Sequence, residues 1–377
     1  MENSILCGRY GDLTGSYIFA KNKATIISRA QINMAKKLSF SPKDITGALL
    51  EGLPDRSRAI LVDRYGLKRA DRRTLEAIGG DYQITRERVR QIENHGLAAI
   101  RASEAYRAYQ KSLDELKSAL EDLGGVLGED TVVEVFAEDP QEARHLVFLL
   151  TLGTPFAYGK ENADLVARWH VNPSLAEQVQ NALSALSDAI ARDDLIAEEE
   201  IIERFSNILK EAGVKKFTPE QLLRWLTLSK RIGKNPLGEW GKSDSPHVRV
   251  KSMRDFAYLT LKRHGSPMHF TEVAKTIEQL FNRKAHPATC HNELINDQRF
   301  VLVGRGLYAL NEWGYSPGVV REVIRTVLEK EPEGLTREEI IERVKRERYV
   351  KDATITVNLQ DPMFSVTPEG KYTVAKK

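Results

Sequence analysis

Thr74-Leu-Glu-Ala-Ile-Gly-Gly-Asp-Tyr-Gln-Ile-Thr-Arg-Glu-Arg-Val-Arg-Gln-Ile-Glu93 is the stretch that decides the fold. It has the length of a helix-turn-helix. Leu75, Ala77 and Ile78 are small or apolar and can pack inward, and Gly79-Gly80-Asp81 breaks the first helix. Ile84 can plug the core, and Thr85 suits the N-cap of a second helix because its hydroxyl can accept a free backbone N–H. Val89, Ile92 and Ile100 then form a buried stripe. Arg86, Glu87, Arg90, Gln91 and Asn94 recur at i, i+1, i+4, i+5 and i+8, which places them on one opposite face. Arginine can pair with guanine, glutamine with adenine, and glutamate with the cytosine amine. The first turns of a recognition helix are the part that enters the major groove. A solvated helix laced with ion pairs is the plainer alternative. The half-helix, the glycine turn and the apolar stripe together argue against it.

Upstream, Ser41-Pro42 opens one helix and Leu53-Pro54-Asp55 another, which Gly66 ends. Arg72, Arg73, Thr85 and Arg88 are candidate phosphate contacts that would set register without reading sequence. Residues 104–123 read as one long connecting helix. Downstream, Leu150-Thr151-Leu152 and Leu226-Thr227-Leu228 end apolar helices, with Trp169 and Trp240 at similar distances beyond. A clearer repeat follows. Ala288, Leu294, Phe300, Gly306 and Tyr308 match Ala353, Leu359, Phe364, Gly370 and Tyr372, each set preceded by two amphipathic helices. Three helices and a glycine-turned hairpin describe a winged helix.

Leu53-Pro-Asp-Arg56, Arg64-Tyr-Gly-Leu67, Thr74-Leu-Glu-Ala-Ile-Gly79 and Thr85-Arg-Glu-Arg-Val-Arg-Gln-Ile-Glu93 together resemble region four of primary bacterial RNA polymerase sigma factors. The resemblance covers residues 45–101. It implies that Arg86, Glu87, Arg90 and Gln91 contact promoter bases and that Arg64, Tyr65 and Gly66 face the polymerase flap. Two departures stand out. Asn94-His-Gly-Leu-Ala-Ala99 occupies positions where the family carries basic residues for activators, and Gln83 stands where it often has Gly, Asp or Asn. The promoter-melting region is not recognisable, so the chain is not expected to open promoters alone. Met253-Arg-Asp-Phe-Ala-Tyr258, Pro267-Met-His-Phe270, Asn292-Glu-Leu-Ile-Asn-Asp-Gln-Arg-Phe300 and Gly304-Arg-Gly-Leu-Tyr-Ala-Leu310 are similar to the HARE-HTH winged helix (residues 253–313). That resemblance implies a DNA or polymerase contact, for which His291, Asn292, Arg299 and Arg305 are the candidates.

Charge is segregated. Residues 1–112 carry a net +8, residues 113–205 a net −14, and residues 206–317 a net +8. Basic segments suit phosphate, whereas the acidic middle should be repelled by it and suits protein contact or spacing. The chain contains Cys7 and Cys290 without CxxC spacing, so neither a disulfide framework nor a zinc site is expected. No signal-peptide pattern opens it and no apolar run is long enough for a membrane span. His264, His269, His286 and His291 cluster, but no cysteine stands at ligand spacing. Neither a phosphate loop nor a nucleophile elbow occurs.

The expected fold is mainly α, with tandem helix-turn-helix and winged-helix modules and small β wings. The expected division is a weakly ordered segment at 1–40, the helix-turn-helix at 41–103, an acidic helical middle at 104–250 holding two small winged-helix units, and winged helices at 251–317 and 318–377. The expected function is a non-enzymatic, cytoplasmic, nucleoid-associated transcription protein without cofactor, metal or small-molecule substrate. Its partners would be promoter-like double-stranded DNA and the RNA polymerase core. The alternatives are a delta-subunit-like polymerase regulator, using the same helix for protein contact, and a DNA-targeting subunit of a restriction-type system.

Overall fold

The computed structural model describes residues 38–68, 72–315, 320–347 and 350–375. The segment 1–40, expected to be weakly ordered, lies outside them except for its last three residues. Among these, the Ser39 N–H donates to Glu115 Oε1 at 2.7 Å. The fold is mainly helical with small antiparallel strand pairs, as the sequence predicts. Among the described residues no helix is long and apolar enough to cross a membrane. The chain divides into two compact units, Met1–Ile190 with Glu198–Gly233 and Ala191–Ala197 with Lys234–Lys377.

The first unit begins with α1 (Pro42–Glu51), α2 (Asp55–Tyr65), α3 (Leu75–Asp81) and α4 (Arg86–Ala102). The Ser41 hydroxyl caps α1 and Gly66, in the left-handed region at φ 66°, ends α2. Residues 104–123 differ from the expected single helix. The chain breaks at Tyr109 into α5 (Glu104–Ala108) and α6 (Gln110–Asp122). After α6 come β1 (Val126–Gly128), α7 (Glu129–Phe136), α8 (Pro140–Leu152), β2 (Ala157–Gly159) and β3 (Arg168–His170). The strands pair in the order β1-β3-β2, so this segment is a winged helix with α8 as its third helix. Next are α9 (Pro173–Ala189), α10 (Glu198–Glu211) and α11 (Pro219–Leu226), then β4 (Ile232–Lys234), at the end of which the chain passes into the second unit with β5 (Trp240–Lys242).

The second unit continues with α12 (Met253–His264), β6 (Met268–His269), α13 (Phe270–Phe281), α14 (Pro287–Asn296), β7 (Phe300–Leu302) and β8 (Leu307–Leu310), its strands in the order β6-β8-β7. A last set holds α15 (Val320–Glu329), α16 (Arg337–Glu347), α17 (Asp352–Asn358), β9 (Phe364–Val366) and β10 (Tyr372–Val374).

One register recurs four times along the chain. An apolar residue after the first helix pairs with an aromatic residue of the hairpin: Leu127 with Trp169, Ile196 with Trp240, Met268 with Tyr308 and Leu335 with Tyr372. Five residues beyond each apolar partner stands a fully buried β-branched residue, namely Val132, Ile201, Val273 and Ile340. Each therefore enters the next helix with the same face turned in. The two tryptophans and the two tyrosines that echo each other in the sequence hold one structural position.

The first unit does not divide at residue 103. Leu97, Ile100, Tyr106, Leu116, Leu127, Phe148 and Trp169 belong to one continuous buried cluster. Tyr65 meets Phe148 edge-on, with ring centroids 5.0 Å apart. Arg101 donates from Nε and a terminal nitrogen to the carbonyls of Leu152 and Thr151, at 2.9 and 3.0 Å, closing the C-terminus of α8.

Candidate nucleic-acid interface

The helix-turn-helix has its own small core of Ile60, Leu75, Ile78 and Val89, with Tyr82, Ile84 and Ile92 packed against it. The Thr74 hydroxyl accepts from the Ala77 N–H at 3.1 Å and caps α3. The turn is tight. A Cβ at Gly79 would lie 2.7 Å from the Ile84 carbonyl oxygen, so only glycine fits there without displacing backbone. Gln83 takes the left-handed conformation at φ 52°, a strained one for a residue with a Cβ. That strain explains why Gly, Asp or Asn would be easier at this position. The Thr85 hydroxyl then accepts from the Arg88 N–H at 3.1 Å and starts α4.

Val89, Glu93, Gly96, Leu97 and Ile100 form the buried side of α4. A Cβ on Gly96 would come within 3.1 Å of Leu61 Cδ1, so small size at this position lets α4 lie close on α2. The opposite side presents Arg86, Glu87, Gln91 and Asn94 to solvent, with Arg90 about two-fifths exposed. The four predicted base-contacting residues are thus together on the outward face of one rigidly capped helix. They are already ordered. Arg90 forms a two-pronged pair with Glu87, at 2.9 and 2.7 Å, and Arg88 donates to Gln91 Oε1 at 3.0 Å. The Arg90 hydrogen bond holds the Glu87 carboxyl below its usual range, so it stays an acceptor.

The other predicted contacts fare differently. Thr85 and Arg88 are exposed beside the face. Arg73 instead bridges Asp63, at 3.5 Å, and Asp81, tying α2 to α3. Arg72 is half-buried, and burial lowers its pKa. A larger correction concerns Arg64, Tyr65 and Gly66, expected to face the polymerase. All three are buried. Arg64 lies 3.4 Å from Glu93 of α4 and donates to the Arg73 carbonyl at 3.2 Å, while Tyr65 packs on Phe148. Glu93 ends the most diagnostic stretch of the sequence, yet its role is internal. Burying it is tolerated because Arg64 comes with it.

Within α12 to β8, Asn292 and Arg305 are exposed, His291 is half-buried against Phe270, and Arg299 is partly buried. It pairs with Asp255 at 3.0 Å and Asp297 at 2.7 Å and lies over the Tyr258 ring. His269 caps α13, with Nδ1 2.7 Å from the Thr271 hydroxyl, which accounts for one of the clustered histidines without a metal. Cys290 is buried and its thiol is pushed up to about 11, which makes it inert near neutral pH. Sequence reasoning passed over Arg283 and Lys284, two exposed cations in the turn before α14. Their signal was present: a basic pair three residues ahead of the proline that opens a third helix.

Residues 49–102 match the family model for sigma-70, region 4. This part of the chain is a sigma-70 region 4 domain. A stretch of 53 residues is 42% identical to the RNA polymerase principal sigma factor HrdD of Streptomyces griseus, covering 14% of this chain and 16% of that protein. The chain therefore spans only about a sixth of this relative's length. No solved structure matches the chain.

Proposed function

We propose that this protein is a sigma-like transcription factor that reads duplex DNA through α4 and works with bacterial RNA polymerase. The observation that carries the reading is the outward face of α4. Arg86, Glu87, Arg90 and Gln91 stand together at the N-terminal end of a capped helix, inside the stretch that matches sigma-70 region 4. Arg90 would pair with guanine and Gln91 with adenine, each such pair discriminating by about 1–3 kcal/mol. Thr85 and Arg88 would hold flanking phosphates. Docking on the polymerase flap, promoter DNA as the target and a HARE-HTH relationship of residues 253–313 belong to the same reading. Arg64, Tyr65 and Gly66, expected at the flap, are buried in this structure.

The test is selection from randomised duplexes, with and without the Arg90→Ala, Gln91→Ala double substitution. The wild-type chain should select a site, and the variant should lose preference at two or more positions while still binding DNA. An unchanged preference would remove α4 as the reader. Retention on core polymerase, displaced by a housekeeping sigma factor, would place the chain in initiation.

A second reading is favoured by one observation. The third helix of the first winged helix, α8, serves protein packing along its whole run from His145 to Leu152. Helices at this position therefore make protein contacts in this chain, and α4 could face polymerase instead. That reading expects polymerase binding to survive the double substitution and affinity for free DNA to be weak.

A further inference from the structure

Each of the four repeats carries a third helix, and these helices differ in what remains available on them. In α8 every residue from His145 to Leu152 is buried. In α11, Gln221 donates to the Asp122 carbonyl at 3.0 Å, Trp225 Nε1 to Gly124 at 3.2 Å and Arg224 to Leu123 at 3.4 Å. That helix is occupied in closing the end of α6. In α17 the surface is mixed. Asp352 leads it, held by Lys345 at 2.8 Å, Val357 is 64% exposed, and the wing that follows carries Glu369.

The remaining helix, α14, combines three features. Its exposed residues include Ala288, Thr289, Asn292, Ile295 and Asn296 and carry no charge, although Ile295 is apolar and 59% exposed, and its one carboxylate, Glu293, is drawn aside by Arg254 at 3.7 Å. The turn before it presents Arg283 and Lys284. Arg283 rests over the Phe256 ring at 4.7 Å, and Glu278, the nearest acid in sequence, is engaged by the Ala285 N–H at 2.9 Å. The wing after it presents Arg305 beside Gly306, where φ is 68° and a Cβ would strike His269 Nε2 at 2.5 Å. Only glycine permits that hairpin, so the position of Arg305 is fixed by the fold. Arg305 and Glu369 precede the equivalent glycines, Gly306 and Gly370, so the two tips differ in sign at that position, and Lys371 offsets Glu369 in the last wing.

We propose that α14 with its basic turn and wing is a second contact for duplex DNA, made chiefly to phosphates through Arg283, Lys284 and Arg305. Charge complementarity carries the choice of occupant. Cations stand on both sides of an uncharged helix face, as a duplex backbone on either side of a groove requires. On that face Ala288 and Thr289 are small, and the Asn292 and Asn296 amides are the groups with base-reading chemistry. The three cations add affinity and salt dependence but not sequence preference. This extends the reading of α4 as a DNA-contacting helix without depending on its base assignments.

The experiment measures binding of the full chain to a duplex several turns long across a range of salt. The variants are Arg283→Ala, Lys284→Ala, Arg305→Ala combined and, separately, Arg305→Glu. Each phosphate contact contributes about 0.9 to the slope of log affinity against log salt. The triple substitution should therefore lower the slope by about two to three, and Arg305→Glu by about one, with thermal unfolding and the selected site unchanged. Unchanged slopes would overturn the proposal, as would a wild-type chain that binds no duplex. Slopes unchanged alongside weakened polymerase retention would overturn it too, and would assign the patch to protein. The Arg90→Ala, Gln91→Ala variant separates the two readings. It should lose preference and keep the slope contribution of α14; retained preference would sink the reading of α4 alone, and an unchanged slope in the triple variant would sink that of α14 alone.

Discussion

α4 and α8 are both third helices of small helical modules, and the chain uses them in opposite ways. α4 is mostly charged outside and buries one stripe, so four side chains with base-reading chemistry stand in solvent. In α8 the run Leu146-Val-Phe-Leu-Leu-Thr-Leu152 is buried on every side. The difference lies in the sequence pattern. A helix apolar all round must sit inside protein, whereas a single stripe leaves a face free. α8 also explains why the predicted polymerase face is covered: the helix lies against the end of α2 that carries Tyr65. One module has become the buttress of the other.

The strongest way to break this comparison is to empty the seam. Phe148→Ala should cost about 4 kcal/mol, as expected for a buried aromatic ring, and lower the denaturant midpoint of the first unit. A midpoint that does not move would mean that α8 is no buttress. A sharper probe uses pH. Glu129 opens α7 in the same module, and burial pushes its carboxyl up to about 7, against the hydrogen bond from Tyr158. The folded chain thus holds a proton that the unfolded chain has already lost. Stability should fall as pH rises from about 4.5 to about 7 and then level off. Glu129→Gln should flatten that part of the curve, and a slope that survives would move its origin elsewhere. The smallest effect belongs to the α4 side. Gln83→Gly relieves the left-handed strain but loosens the unfolded chain, for a net gain of about 0.5 kcal/mol. A loss on thermal unfolding would mean that the Gln83 side chain contributes something its backbone strain conceals.

The helix-turn-helix was legible because each local signal agreed with the next: Gly79 where the turn closes on α3, Thr85 at the cap, and Val89 and Ile100 in the stripe, although Gly79-Gly80-Asp81 end α3 as helix rather than break it. The repeat in residues 253–374 was legible for the same reason, since strand pairing fixes Tyr308 and Tyr372 at set distances from their glycines. Long-range packing was not. Nothing in the spacing of Arg64, Tyr65 and Glu93 says that a helix eighty residues away covers Tyr65. Charge alone cannot tell Arg73 or Arg299, each consumed by two carboxylates, from Arg305, which remains exposed. The candidates that misled were arginines whose acidic partners were near in space or in chain but went uncounted.

The Arg90–Glu87 pair gives the reading helix a rehearsal of its own contact. On the proposed reading, the two-pronged geometry that Arg90 would offer a guanine is the one it already holds against a carboxylate, so engagement of DNA would be an exchange rather than a new alignment. An exposed pair of this kind is weak and releases readily. A base that returns both hydrogen bonds, with a cytosine amine nearby to occupy the freed glutamate, completes the trade. A base that returns one leaves Arg90 better off at home.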